Sequence, residues 1–176
     1  DLDLTGYDLL ANDTFLGFMN TTNLRILNGP ALPISPGTFA QLASLYNMWL
    51  ESTGSSVTTA LPDYYFADVS TSLNEIQIRS NSFTSIGNSS FAVGLGQLRS
   101  LILFNNSRLS SIDNQPFATG LGNLFYLQLS FSSISSLSAN SFSGLGKLGY
   151  LYFNFNGLNS ISSNTFVGLG KLSVLD

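Results

Sequence analysis

Ten residues beginning at Phe142, "FSGLGKLGYL", return 24 residues later as "FVGLGKLSVL". No other feature limits the fold so tightly. A unit of that length cannot enclose an apolar core alone, whereas units stacked side by side bury one continuous core and touch only their neighbours. The marker phenylalanine recurs at Phe15, Phe39, Phe66, Phe91, Phe117, Phe142 and Phe166, with gaps of 24, 27, 25, 26, 25 and 24 residues. Five residues before each marker stands an apolar residue: Leu10, Ile34, Leu61, Ile86, Ile112, Leu137 and Ile161. After the marker comes an apolar-x-apolar pair: Leu24 and Ile26, Met48 and Leu50, Ile76 and Ile78, Leu101 and Leu103, Leu127 and Leu129, Leu151 and Phe153. Alternation with period 2 over so few residues predicts a brief strand in every unit.

Written out, the unit is L-x-x-L-x-L-x-x-N-x-L-x-x-I-x-x-x-x-F-x-G-L-x-x. It resembles the leucine-rich repeat, in the typical 24-residue class common in extracellular proteins. The likeness is strongest from Leu73 onward. Before that, Thr21 stands at a Leu position, Gly29 stands at the Asn position, and "ESTGSSVTTALPDYYF" stretches the unit that holds Met48. The resemblance implies an α/β-type solenoid, a horseshoe with a parallel β-sheet on the concave face and loops or short 3-10 turns on the convex face. It further implies a single domain over residues 1–176 of about seven repeats, with the marker phenylalanines forming a buried aromatic spine. Asn81, Asn106 and Asn156 share one position of the unit, where an amide can satisfy backbone groups as the chain leaves the strand; Thr53 and Ser132 replace them in other repeats.

Composition removes several functions. The chain has no cysteine and no histidine, which leaves no thiolate metal site and neither of the commonest metal ligands and general bases. No apolar run approaches the roughly 20 residues needed to span a bilayer as a helix. With a net charge of -4 and 9% charged residues, the sequence lacks the overall basic character of a nucleic-acid binder, and the expectation is no nucleic-acid partner. The two Gly-Leu-Gly-Lys segments, Gly144–Lys147 and Gly168–Lys171, are not phosphate loops. Ser141 and Thr165 stand where the first glycine is needed, and Leu148 and Leu172 stand where a hydroxyl is needed. Glu51 and Glu75 fall on adjacent strands but at different positions of the unit, and Glu51 is expected to pair with Arg79 rather than to serve hydrolysis. No cofactor and no enzymatic activity are expected.

Outward-facing strand residues supply the candidate site. In strands whose apolar pair points inward, the residues before, between and after that pair face the concavity. They run Asn23, Arg25, Leu27; Asn47, Trp49, Glu51; Glu75, Gln77, Arg79; Ser100, Ile102, Phe104; Tyr126, Gln128, Ser130; and Tyr150, Tyr152, Asn154, with Phe131 and Phe155 one place further along. Exposed aromatic residues that lie together mark contact surfaces. The residues assigned to partner binding are therefore Trp49, Phe104, Tyr126, Gln128, Phe131, Tyr150, Tyr152 and Phe155. Asn12, Asn20, Asn88 and Asn105 each open an N-glycosylation triplet.

Family resemblance makes the leading expectation an extracellular or cell-surface, non-enzymatic module that binds a protein or glycoprotein through its concave face. The alternative is a self-assembling subunit of a surface filament or matrix. Extracellular members of the family commonly carry cysteine-rich caps, whereas this chain opens in a predicted strand at Leu2 and closes in one at Leu175. Those ends are expected to belong to a fragment, or to associate end to end with further copies.

Overall fold

The computed structural model describes residues 1–6, 14–28, 37–51, 60–69, 71–87, 89–91, 93–113, 115–117 and 120–176. In chain order their strands are β1 (Leu2–Thr5), β2 (Asn23–Leu27), β3 (Asn47–Glu51), β4 (Glu75–Arg79), β5 (Ser85–Ile86), β6 (Ser100–Ile102), β7 (Ser111–Ile112), β8 (Tyr126–Gln128), β9 (Ser136–Leu137), β10 (Tyr150–Tyr152), β11 (Ser160–Ile161) and β12 (Val174–Leu175). Eight form a parallel sheet in the order β1-β2-β3-β4-β6-β8-β10-β12. Every strand the alternation predicts is present. Register carries through without slippage, so that Arg25, Trp49, Gln77, Ile102, Gln128 and Tyr152 form one row across the face. The partners of that row point inward. Leu24, Met48, Ile76, Leu101, Leu127 and Leu151 are each fully buried.

The other four strands form a second parallel sheet, in the order β11-β9-β7-β5. Each is a Ser followed by Ile or Leu, paired Ser to Ser and apolar to apolar with its neighbour. Two residues are too few for alternation to register as a strand, although the apolar member was legible as an inward position. Ile86, Ile112 and Leu137 are buried there. Ile161, on the edge strand β11, is instead 52% exposed.

No helix forms among the described residues, so the expected α/β character and 3-10 turns are corrected to a β-solenoid with turns between the two sheets. The turns have i→i+3 bonds, such as Leu42 N to Phe39 O at 3.0 Å and Leu45 N to Leu42 O at 3.1 Å, but these do not follow one another residue by residue as a 3-10 helix requires. Gly144 and Gly168, two residues after their marker phenylalanines, have φ of 88° and 92°. A positive φ there shapes the turn that follows the marker ring, and glycine adopts it without steric cost.

Between the sheets the marker phenylalanines pack ring to ring in two runs, Phe15 with Phe39 and Phe66 through Phe166. Phe66 and Phe91 lie 5.3 Å apart by ring centroid, and Phe142 sits between Phe117 at 6.4 Å and Phe166 at 5.8 Å with nearly parallel rings. Burying each ring contributes about 1.5–3 kcal/mol. The asparagine position behaves as a polar ladder. Asn106, with no exposed surface, accepts from Asn81 N at 2.9 Å and donates through Nδ2 to Ile78 O at 3.0 Å. Asn81 Nδ2 donates to Leu50 O and Arg79 O, and Asn156 Nδ2 to Leu129 O and Phe153 O. Ser132 does not take over this work. Its hydroxyl, too short to span two repeats, is buried without a hydrogen-bond partner. Thr53, Leu10, Ile34, Gly29 and most of the stretched segment after Glu51 lie outside the described residues.

Candidate functional site

Each assigned side chain sits where a strand or the bend after it directs it outward, and the structure gathers them into three groups. The first follows the end of the strands where the chain turns away. Phe104, Phe131 and Phe155 occupy successive repeats, with ring centroids 5.1 Å apart for the first pair and 4.3 Å for the second, the latter stacked. The Arg79 guanidinium lies 5.8 Å from the Phe104 centroid and extends the row by one repeat. Phe131 is 43% exposed and Phe155 is 68% exposed. Both are left-handed, with φ of 58° and 56°. Asn28, Ser80 and Asn105 hold the same backbone shape at this position in other repeats. Asparagine tolerates that conformation readily, and a bulky ring does not.

The second group is built from outward-facing residues of β8 and β10. Tyr126 on β8 packs against Tyr150 at 6.4 Å and Tyr152 at 5.5 Å, both on β10, and its hydroxyl lies 3.4 Å from Gln128 Oε1. Burial, and then the neighbouring Tyr152, raise the Tyr126 phenol above its ordinary pKa, while Arg79 opposes the shift. All four side chains are half-buried. Phe125, absent from the predicted set, joins them edge-on to Tyr150 at 5.2 Å and is 51% exposed. It immediately precedes its strand, where an analysis confined to strand alternation does not look.

Trp49 is separate from both. It lines a depression of ≈ 300 Å³ together with Arg25, Leu27, Leu50, Glu51, Gln77 and Arg79. Its indole N–H donates to Glu75 Oε1 at 3.0 Å, and Gln77 Nε2 donates to the same oxygen at 2.6 Å. Glu75 is thus engaged as an acceptor. Glu51 faces Arg79 in register, as expected, but the guanidinium is drawn over Phe104 and its Nε is buried without a hydrogen-bond partner. Two residues placed on the open face by alternation are covered: Ile102 is 9% exposed and Ser130 is 1% exposed. Of the glycosylation triplets, Asn20 and Asn105 are exposed, and Asn105 Nδ2 donates to Ser80 Oγ at 3.2 Å. Asn12 and Asn88 lie outside the described residues.

The leucine rich repeat family model matches residues 96–158 and 123–176, over the part where the spacing is most regular. The whole described backbone superposes on the TLR13–ssRNA13 complex structure with a TM-score of 0.82 and 26% identity, covering 99% of this chain and 24% of that one. The chain carries leucine-rich repeats over residues 96–176. The Drosophila Toll–Spatzle complex in its glycosylated form shares the fold, with a TM-score of 0.67, 23% identity, and coverage of 97% of this chain and 26% of that one. This leucine-rich repeat chain therefore spans about a quarter of the length of the solved chains it resembles. No curated protein matches its sequence.

One expectation is overturned. The protein in the first of those structures is in complex with single-stranded RNA, so the absence of a nucleic-acid partner does not follow for a chain with this architecture. Net charge misled because it averages two unlike parts. Up to Ile76 the chain has eight acidic residues and one basic; beyond it, two acidic and five basic.

Proposed function

We propose that this leucine-rich repeat chain is an extracellular, non-enzymatic recognition module that binds a protein or glycoprotein through the aromatic half of its concave sheet. The observation that carries this reading is the exposed row Phe104, Phe131 and Phe155, two of whose rings occupy a backbone conformation that asparagine and serine satisfy elsewhere in the same molecule. The fold gains little from a phenylalanine that is 68% exposed and left-handed, and conformational strain of this type concentrates at functional sites. Beside it, the half-buried Tyr126, Tyr150 and Tyr152 offer ring faces with hydroxyls at their tips, the mixture enriched where protein partners bind. Exposed triplets at Asn20 and Asn105 fit a secreted setting.

The test replaces Tyr152 and Phe155 together by Ser. The double variant should keep the melting temperature of the parent and lose capture of secreted or membrane-displayed proteins that the parent retains. Equal capture of the same partner by both forms would refute a concave aromatic site.

A further inference from the structure

A second surface lies along the rim where the chain enters the strands of the main sheet. The residues immediately preceding the strands form a continuous backbone ladder: Asn74 N donates to Tyr46 O, Arg99 N to Asn74 O, Phe125 N to Arg99 O and Gly149 N to Phe125 O, at 2.8–2.9 Å. Two positions earlier runs a parallel row in which Gln97, Asn123 and Lys147 follow one another, with Lys147 Nζ 2.5 Å from Asn123 Oδ1 and Asn123 Nδ2 2.6 Å from Gly96 O. Between the rows are two depressions. One, of ≈ 370 Å³, is lined by Tyr46, Ser72, Asn74, Gln97 and Arg99. The other, of ≈ 180 Å³, is lined by Arg99, Asn123, Phe125 and Lys147. They share Arg99, and we treat them together as one rim groove. Its lining carries two cations and no carboxylate among the described residues, in a chain whose overall charge is -4.

The aromatic residues of the groove are placed for use. Tyr46 is 49% exposed and Phe125 is 51% exposed. The Phe125 ring crosses the next repeat directly over Gly149, where a Cβ would come within 2.6 Å of its Cε2 atom, and it is braced on one side by Tyr150. Glycine at 149 is what lets the ring lie there. From Tyr46 to Lys147 the groove crosses four strand spacings, roughly 19 Å, long enough for about four to six nucleotides of a single strand.

We propose that this rim groove binds a segment of single-stranded nucleic acid, with backbone phosphates on Arg99 and Lys147 and unpaired bases against Tyr46 and Phe125. Cations alone would suit any polyanion. The half-exposed rings, Phe125 held over Gly149 and Tyr46 in the lining of the other depression, distinguish unpaired bases, which present flat faces, from a duplex, which hides them, and from a sulfated polysaccharide, which has none. This surface adjoins the concave aromatic site, with Phe125 edge-on to Tyr150 where the two meet, but its cations lie outside that site and it does not depend on the function proposed there.

The experiment is fluorescence anisotropy of the full chain with a labelled mixed-sequence single-stranded RNA of twelve nucleotides, across a salt series, with the matching duplex and heparin as competitors. Arg99→Gln with Lys147→Gln should weaken binding about tenfold or more and reduce the slope of log K against log salt by about 1.4. Phe125→Leu should weaken binding and leave that slope unchanged. Gly149→Ala, which displaces the ring, should act in the same direction, and a circular-dichroism melt confirms that each variant is folded. Tyr152→Ser with Phe155→Ser should bind RNA as the parent does, so the two surfaces fail or succeed separately. No binding at low salt would overturn the proposal. So would insensitivity to Phe125→Leu with heparin competing as well as the single strand, which would make the groove a glycan site, or loss of RNA binding in the concave variant alone.

Discussion

Replacing Asn106 by Ala isolates what the polar ladder contributes, because the side chain has no exposed surface and both of its bonds go to backbone groups of the preceding repeat. Without the amide, Asn81 N loses its acceptor and Ile78 O loses its side-chain donor, in a place water reaches poorly. Each buried group left unsatisfied costs about 1–3 kcal/mol, so the variant should lose on the order of 3–4 kcal/mol. At this chain length that lowers the melting temperature by roughly 6–16 °C. Asn156→Ala is the internal comparison. Asn156 makes equivalent bonds, including acceptance from Ile134 N at 3.0 Å, but it is half-buried, and water can replace part of what is lost. Its cost should be about 1–2 kcal/mol. Urea denaturation of both variants provides the assay, with unchanged m-values showing that unfolding remains cooperative. Equal losses from the two, or a loss below about 1 kcal/mol for Asn106, would refute the claim that burial makes this position decisive.

Phe142→Ala, which empties a fully buried site between Phe117 and Phe166, should cost about 3–5 kcal/mol, while Ser143→Ala beside it, half-buried, should be nearly silent in the same denaturation series. The Tyr126 phenol is raised in the folded chain, so folding favours its neutral form: the associated stability is complete below the ordinary tyrosine range near pH 10 and is lost as pH climbs through the raised value. In a phenolate absorbance titration Tyr126 should ionise above the ordinary tyrosine range, and Tyr126→Phe should take one phenol out of that late phase.

The architecture was legible because a solenoid writes its geometry into the sequence once per repeat. Leu101, Leu127 and Leu151 announce their strands by alternation, and Phe117, Phe142 and Phe166 announce the spine by recurrence. What escaped was whatever a repeat does not specify. Strands β5, β7, β9 and β11 are two residues long, below the length at which period 2 has meaning, and the left-handed Gly144 and Gly168 are indistinguishable in sequence from glycines of an ordinary turn. At the candidate site alternation placed Tyr126, Tyr150 and Tyr152 correctly on the outward face. It failed at Ile102 and Ser130, which point outward in register but are covered, because coverage depends on neighbours three-dimensionally adjacent rather than sequentially periodic.

Departures from the repeat are therefore where function has to be sought, and they divide into two kinds. Ile161, exposed on its edge strand, and Ser132, with an orphaned hydroxyl, weaken packing or hydrogen bonding and present nothing to a partner. Phe131, Phe155 and Phe125 depart in the opposite sense. Each puts a large ring where the backbone asks for a small or polar residue, or where solvent would be met equally well by one, and each ring is nevertheless held: Phe131 against Phe104 and Phe155, Phe125 over Gly149 and beside Tyr150. A ring fixed by its neighbours loses little entropy on meeting a partner, which is the condition under which exposed aromatic area converts into affinity. Electrostatics then separates the surfaces. Arg79 alone extends the phenylalanine row, while Arg99 and Lys147 flank the rim groove around Phe125. A largely neutral aromatic face and a cationic aromatic groove, on one rigid sheet, are suited to ligands of different charge, and the net charge of the whole chain conceals that division.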